Sequence, residues 1–97
     1  MTHRSDPVLV AKALASPARL GILASLSERG TCACGEVVET AGLAQSTVSQ
    51  HLKVLKDAGL VCGTVDGTRT CYCLDRDGVA AARDALGALF DGLAPRA

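Results

Sequence analysis

The stretch LAQSTVSQHLKVLKDAGL, from Leu43 to Leu60, restricts the fold of this chain more than any other segment. Its apolar residues Val48, Leu52 and Leu55 recur at i, i+4 and i+7, which is the spacing of one buried face of an α-helix. The preceding stretch, GEVVETAG, is apolar and acidic and ends in a glycine, a residue that commonly terminates helices. Two helices separated by a short turn form a helix-turn-helix, which we predict over about residues 35–58.

The segment VCGTVDGTRTCYCL changes from helical to strand periodicity. Asp66-Gly67 is a strong signal for a two-residue hairpin turn, and strand-forming residues flank it on both sides. We therefore predict an antiparallel hairpin over about residues 60–74. A turn at this dipeptide places Cys62 opposite Cys71, with Cys73 two residues further along on the same face of the hairpin.

Amphipathic helices are predicted toward both ends of the chain. Ser16 and Pro17 form a helix-start signal, N-cap and first helical position, for a helix that continues up to Gly30. An earlier helix over about residues 7–15 and a closing helix over about residues 78–93 are rich in Ala, Leu and Val. Because these two helices carry apolar surface in excess, we expect them to form the interface of a homodimer.

Length and charge restrict the function classes. A chain of 97 residues with 48% hydrophobic residues can bury one modest core, so we predict a single domain over residues 1–97. Ten Lys+Arg balance ten Asp+Glu, so any contact with nucleic acid must come from a local patch. No apolar run approaches the roughly 20 residues that span a bilayer, and the N-terminal stretch lacks the pattern of a signal peptide. We expect a cytoplasmic protein without a membrane contact.

The order of elements predicts a mainly α fold with a small antiparallel β-hairpin wing, a winged helix-turn-helix. From Pro17 to Leu93 the chain resembles the ArsR/SmtB family of bacterial metal-sensing repressors, most specifically in Ser-Thr-Val-Ser-x-His-Leu-Lys-x-Leu. The resemblance implies a homodimer that binds double-stranded operator DNA. The sequence contains no Cys-x-x-Cys, phosphate-binding loop or nucleophile–base pair, so we do not expect an enzyme.

The polar face of the second helix of the helix-turn-helix is the predicted DNA contact. Gln, Ser and Thr side chains can hydrogen-bond to base edges, and Lys and Arg can contact phosphates. The predicted DNA-contacting residues are Gln45, Ser46, Thr47, Ser49, Gln50 and Lys53, with Arg69 from the wing. His51 adjoins the inward-facing Leu52, and we interpret it as a structural residue with an edge hydrogen bond.

Five cysteines occur in this chain, four of them in the two phrases TCAC and TCYC. Their odd number and the absence of an export signal favour free thiols or thiolate ligands over disulfides. In winged helices generally, a short strand before the helix-turn-helix pairs with the second wing strand, and TCAC is expected to be that strand. The candidate metal ligands are Cys32, Cys34, Cys71 and Cys73, with Cys62 as a further candidate.

Clustered thiolates suit soft ions, which here means As(III) or Sb(III) as the inducer, with Cd(II), Pb(II), Zn(II) or Cu(I) as alternatives. The resemblance implies the same, because arsenic, cadmium and lead sensors of the family carry Cys-x-Cys at the start of the first helix of the helix-turn-helix. Three other interpretations stay open: buried cysteines, a redox switch through Cys32–Cys34 or Cys62–Cys71, and, more distantly, a small thiol oxidoreductase. Asp77, Asp84 and Asp91 are interpreted as a solvated stripe, not as a zinc site.

Overall fold

The computed structural model describes residues 5–30, 32–34, 45–66 and 69–93. The predicted first helix of the helix-turn-helix and Gly67 of the predicted turn lie outside these ranges, as do the side chains of Cys34, Gln45 and Arg69. In chain order the elements are α1 (Pro7–Leu14), α2 (Pro17–Arg29), β1 (Ala33–Cys34), α3 (Gln45–Asp57), β2 (Val61–Asp66), β3 (Arg69–Leu74) and α4 (Arg76–Leu93).

Local capping signals determine where α1 and α2 begin. The Asp6 side chain accepts a hydrogen bond from the Val8 N–H at 2.9 Å, and the Ser16 side chain accepts one from the Arg19 N–H at 3.3 Å. A proline follows each cap at the first helical position, where no N–H is needed. Helix α2 ends at Gly30, whose φ of 67° is left-handed and therefore favours glycine. The predicted start and end of α2 are confirmed.

The sheet has three antiparallel strands in the order β1-β3-β2. Ala33 pairs with Tyr72, and Cys34 pairs with Cys71. This confirms that TCAC supplies a strand beside the second wing strand. It also makes β3 the central strand, with a cysteine-bearing strand on each side.

The predicted register of the hairpin is wrong. Asp66 pairs with Arg69, so the turn lies one residue later than Asp66-Gly67, and Cys62 faces Cys73 where we expected Cys71. The later turn pairs all six residues of each strand. Because facing residue numbers then shift by two, every side chain keeps the face predicted for it, and Cys62, Cys71 and Cys73 still share one side of the hairpin.

The core forms where the inner face of α3 meets α1, α2 and the sheet. Val48, Leu52 and Leu55 are 0%, 1% and 0% exposed, which confirms the helical face predicted from their spacing. On the core side of the hairpin, Val61 is buried, and Tyr72 packs against the core as a partly buried residue. The side of the hairpin opposite its cysteines therefore faces the core.

The apolar stripe predicted on α4 is only partly covered within the chain. Ala82 is buried and Leu86 packs on the core, but Phe90 and Leu93 are 64% and 69% exposed. Val8 on α1 is 72% exposed.

No single helix in the described ranges is long and apolar enough to cross a bilayer, and α1 with residues 17–28 reaches that size only as a pair bent by 94°. The cytoplasmic location stays a prediction.

The Arg19 side chain links the end of α1 to α3 through hydrogen bonds. Its Nε donates to the Ala13 carbonyl at 2.8 Å, and its Nη2 donates to the Lys12 carbonyl at 2.9 Å. The remaining nitrogen, Nη1, lies 3.1 Å from Nδ1 of the half-buried His51. Since a guanidinium can only donate, Nδ1 accepts this hydrogen bond. His51 thus makes the edge hydrogen bond predicted for it.

Replacing Arg19 with methionine is expected to lower the free energy of unfolding by about 1–3 kcal/mol. Methionine preserves the apolar stem but removes the side-chain donor to the Ala13 carbonyl and to His51, and leaves the Lys12 carbonyl with the Ala15 N–H as its donor. Urea denaturation followed by far-UV circular dichroism measures the effect. The control is Lys56→Met on exposed α3 surface, expected within about 0.5 kcal/mol of the parent. Equal midpoints for both variants would contradict the structural role of Arg19.

Candidate nucleic-acid interface and thiol site

The outward face of α3 is a polar surface at the edge of the helical core. Because Val48, Leu52 and Leu55 point inward, the residues on the opposite face of the helix are turned to solvent. Four of the predicted DNA-contacting residues are exposed on this face: Ser46, Ser49, Gln50 and Lys53. Thr47 is half-buried, and the side chain of Gln45 lies outside the described residues.

Lys53 has one neighbour that the sequence analysis did not consider. Its Nζ lies 3.2 Å from Oδ2 of Asp57, one turn further along α3. The two side chains are 75% and 57% exposed, and such an exposed pair contributes little to stability. The ammonium group can therefore exchange the carboxylate for a phosphate at small cost. Arg69 begins β3 beside the hairpin tip, where a wing contact was predicted.

Cys32 and Cys73 form a disulfide between residues 41 positions apart in the chain, with a Cα–Cα separation of 4.3 Å. The register of β1 and β3 explains this contact, since Ala33 faces Tyr72 and the next pair outward is Cys32 with Cys73. Antiparallel pairs whose Cα atoms are about 4.5 Å apart hold their side chains closest together. Because TCAC pairs with TCYC, the Sγ atoms of Cys32 and Cys73 come within bonding distance.

The other cysteines lie around this pair. Cys71 is also disulfide-bonded. Cys62 is a half-buried free thiol whose Sγ lies 3.7 Å from the Cys73 carbonyl oxygen and donates to it. Cys34 pairs with Cys71 through its backbone, and its side chain lies outside the described residues. All five cysteines thus belong to one small sheet.

Two expectations about the thiols need correction. Among the cysteine side chains that the structure describes, only Cys62 is a free thiol, although we expected free thiols or thiolate ligands in place of disulfides. The predicted redox pairs Cys32–Cys34 and Cys62–Cys71 are wrong for these residues. Two positions along one strand separate side chains by about 7 Å, whereas facing positions on paired strands lie closer together. The cross-strand partner of Cys32 is Cys73.

In the described ranges, no three His, Cys, Asp or Glu side chains form a group that could hold a metal ion. Asp77, Asp84 and Asp91 are all exposed, as predicted for a solvated stripe on α4. Reduction of the Cys32–Cys73 bond would give two thiols, and thiolates are the ligands that soft ions prefer.

A cavity of about 200 Å³ adjoins the Cys32–Cys73 pair. Its lining residues are Leu26, Gly30, Cys32, Cys73, Leu74 and Arg76. Cys32 is exposed, so a small molecule can reach the sulfur pair through this cavity. Arg76, which follows Cys73 closely along the chain, supplies the charged group of the lining, and sequence reasoning missed it.

Comparisons with known proteins agree with this architecture. Residues 16–62 match the family model described as bacterial regulatory protein, arsR family. HTH-type transcriptional regulator Rv2034 of Mycobacterium tuberculosis is 45% identical over 85 residues, which cover 88% of this chain and 78% of the relative. The arsenical resistance operon repressor of Bacillus subtilis is 42% identical over 69 residues, which cover 70% of this chain and 65% of that protein.

A solved structure resembles this chain along most of its length. It is the solution structure of the homodimeric winged helix-turn-helix DNA-binding domain Mb0332 from Mycobacterium bovis. It aligns with a TM-score of 0.65 at 37% identity, covering 89% of this chain and 75% of that one. Two further curated mycobacterial relatives are matched over only about half of their own length, 46% and 52%.

Proposed function

Since the chain belongs to the arsR family of bacterial regulatory proteins, we propose that it is a sequence-specific transcriptional repressor whose operator binding is controlled by the thiols of β1 and β3. The observation that carries the proposal is the contact of Cys32 with Cys73. One sulfur lies on the strand that precedes the recognition helix α3, and the other lies on the wing. A group held by both sulfurs therefore joins the two DNA-contacting parts of the fold.

In this proposal α3 enters the major groove. Ser46, Ser49 and Gln50 contact base edges from its exposed face, and Lys53 and the wing residue Arg69 contact phosphates. A homodimer presents two such helices to the two halves of a palindromic operator. The exposed apolar residues of α1 and α4 support a dimer interface there, and the homodimeric Mycobacterium bovis domain supports the same assembly.

The proposed inducer is As(III) or Sb(III), bound by three thiolates after reduction of the sheet. Cys32 and Cys73 form the centre of the site, and the third sulfur comes from Cys34, Cys71 or Cys62. Trivalent arsenic and antimony are thiophilic, as are the alternatives Cd(II), Pb(II) and Zn(II). Similarity to the Bacillus subtilis arsenical resistance operon repressor supports the first choice. The transcriptional relatives also favour a regulator over a thiol oxidoreductase.

Binding of the ion is coupled to DNA through the positions of the ligands. Drawing Cys32 and Cys73 around one ion changes how β1 meets the wing strand, and with it the position of α3 relative to the wing. If the ion binds the DNA-free conformation more tightly, the operator is released. Because such coupling is reciprocal, operator DNA weakens binding of the ion by the same factor.

The test is fluorescence anisotropy of the fully reduced protein on the DNA upstream of its own gene. Sodium arsenite, antimony tartrate, Cd(II), Pb(II) and Zn(II) are titrated separately into the complex. We expect arsenite or antimony to release the DNA at near-stoichiometric amounts. Failure of the reduced protein to prefer this DNA over a scrambled duplex would refute the repressor assignment, whatever the ions do.

The disulfide itself supports a second candidate, a redox-controlled repressor. A two-electron oxidant such as a low-molecular-weight disulfide converts the thiols of Cys32 and Cys73 to the observed bond, and the oxidant leaves as two thiols. The bond closes a loop that contains all of α3. In the anisotropy assay, binding that no ion affects but that oxidised glutathione abolishes would favour this candidate.

Gln50 and Lys53 are expected to contribute to DNA binding in different ways. Gln50→Ala removes an exposed side chain that is proposed to contact a base, and should weaken operator binding by about 1–3 kcal/mol, which is roughly fivefold to 150-fold, without affecting a scrambled duplex. Lys53→Ala removes a phosphate contact, so both duplexes should be bound less tightly and the log–log salt slope should decrease by about 1. Equal losses on both duplexes for Gln50→Ala would contradict a role in base recognition.

A further inference from the structure

Three cysteines form a row across the sheet, one from each side of the central strand and one on it. Cys73 lies on β3, which is the middle strand. Cys62 of β2 faces Cys73 from one side, and Cys32, next to β1, is bonded to Cys73 from the other side. Neighbouring strands are about 4.8 Å apart, so the three Cα positions follow one another at nearly equal steps.

The row has the arrangement that thiol–disulfide exchange requires. In that reaction a thiolate attacks one sulfur of a disulfide from the side opposite the departing sulfur, so the three sulfur atoms lie nearly in line. Facing residues of paired strands share a face, so the Cys62 thiol lies on the same side of the sheet as the disulfide. Its Sγ is already 3.7 Å from the carbonyl oxygen of Cys73. Cys73 is the central sulfur, and Cys32 is the leaving group.

We propose that Cys62 is an internal nucleophile that transfers the disulfide of Cys73 from Cys32 to itself. The Cys62 thiolate attacks Sγ of Cys73, a Cys62–Cys73 bond forms and the Cys32–Cys73 bond breaks. The electron pair leaves with the Cys32 sulfur, which takes up the proton that Cys62 released. One disulfide and one thiol are present before and after the step, so no external oxidant or reductant is consumed.

The two disulfides constrain different parts of the fold. Cys32 and Cys73 are 41 positions apart, and their bond encloses α3 together with both hairpin strands. Cys62 and Cys73 are 11 positions apart, so the second bond closes the wing alone. Transfer therefore releases the bond that joins Cys32 to Cys73 while the protein stays oxidised. It also replaces a half-buried free thiol, Cys62, with an exposed one, Cys32.

The chemical step does not rest on the proposed function, although its regulatory consequence does. Its test needs no DNA and no ion, so failure of the exchange and failure of the repressor assignment are separate results. A Cys34→Ser/Cys71→Ser background retains only the three cysteines of the row. Trypsin then places Cys32, Cys62 and Cys73 in three different peptides, residues 30–53, 57–69 and 70–76.

The background protein is oxidised with diamide, transferred to mildly alkaline buffer without oxidant and quenched with N-ethylmaleimide over a time course. Mass spectrometry of the unreduced digest then identifies the linked peptides and the labelled thiol. We expect 57–69 linked to 70–76 to increase with time, together with label on Cys32. Adding Cys62→Ser should reduce the label on Cys32 on the order of tenfold, because the nucleophile is absent.

Two results would overturn the proposal. The first is a time course in which 30–53 stays linked to 70–76 and only Cys62 is labelled. The second comes from adding Cys32→Ser to the same background, which leaves Cys62 and Cys73 as the only cysteines. If diamide then produces no link between 57–69 and 70–76 while circular dichroism shows a folded protein, the two sulfurs do not meet.

Discussion

Antimony tartrate is expected to leave the operator complex of the Cys73→Ser variant intact at concentrations that dissociate the parent complex. Cys73 is the central sulfur of the sheet, bonded to Cys32 on one side and facing Cys62 on the other. A serine hydroxyl is a poor ligand for soft ions, so this change removes the sulfur around which the other thiolates are arranged. We expect the concentration for half release to rise by about 100-fold or more.

The control for this variant is Thr70→Ser, a change at an exposed position of the same strand, which should respond as the parent does. Both variants should bind the operator as tightly as the parent when no ion is present, because neither position belongs to the proposed DNA contact. The variant Cys32→Ser/Cys34→Ser should lose the response in the same way. Release of the Cys73→Ser complex at parental concentrations would remove Cys73 from the ligand set.

Replacing Gly78 with alanine is expected to destabilise the fold by about 3 kcal/mol or more. Gly78 lies in the first turn of α4, directly against the turn that connects α3 to β2. A Cβ atom at this position would overlap the carbonyl oxygen of Gly59 and come within 2.9 Å of its carbonyl carbon. The obstacle is the backbone of Gly59, so no side-chain rotation can relieve the overlap.

Gly87 in the middle of α4 is the matched control. A Cβ atom there meets nothing within 4 Å in the chain, so Gly87→Ala should stabilise the protein by up to about 1 kcal/mol through helix propensity. Gly21→Ala on α2 has the same open surroundings. Urea denaturation compares the three variants. A Gly78→Ala protein as stable as the parent would mean that α4 does not approach the Gly59 turn closely.

Gly78 lies where the proposed dimer helix α4 packs against the turn that follows the proposed DNA-contacting helix α3. The Asp75 side chain accepts a hydrogen bond from the Gly78 N–H at 2.9 Å, and the Asp75 N–H donates to the Leu60 carbonyl at 3.0 Å. These contacts hold the start of α4, a proposed dimer helix, against the turn that follows α3, the proposed recognition helix. Loosening them should therefore weaken operator binding by the dimer more than binding to non-specific DNA.

Local signals in the sequence account for the elements that were predicted correctly. The inner face of α3 follows from the spacing of Val48, Leu52 and Leu55, and the start of α2 follows from the Ser16 cap with proline after it. Such signals act over one or two helical turns, so they do not depend on the rest of the chain. The faces of the hairpin were also predicted, because strand alternation survives a register shift of two residues.

Contacts between residues far apart in the chain could not be predicted in the same way. The hydrogen bond from Arg19 to His51 joins residues 32 positions apart, and the disulfide of Cys32 with Cys73 joins residues 41 positions apart. The partners of the cysteines depend on where the hairpin turns, and two adjacent dipeptides compete for that turn. Moving the turn by one residue changes the residue that faces Cys62 from Cys71 to Cys73.

The sequence by itself determined the order of elements, the inner and outer faces of α3 and the side of the sheet on which the thiols lie. Each follows from periodicity or capping chemistry that operates within a few residues. Only the tertiary structure decided which cysteines face or bond to one another, since their pairing depends on strand register. It also left most of the apolar stripe of α4 uncovered, because the chain's own core reaches only as far as Ala82 and Leu86.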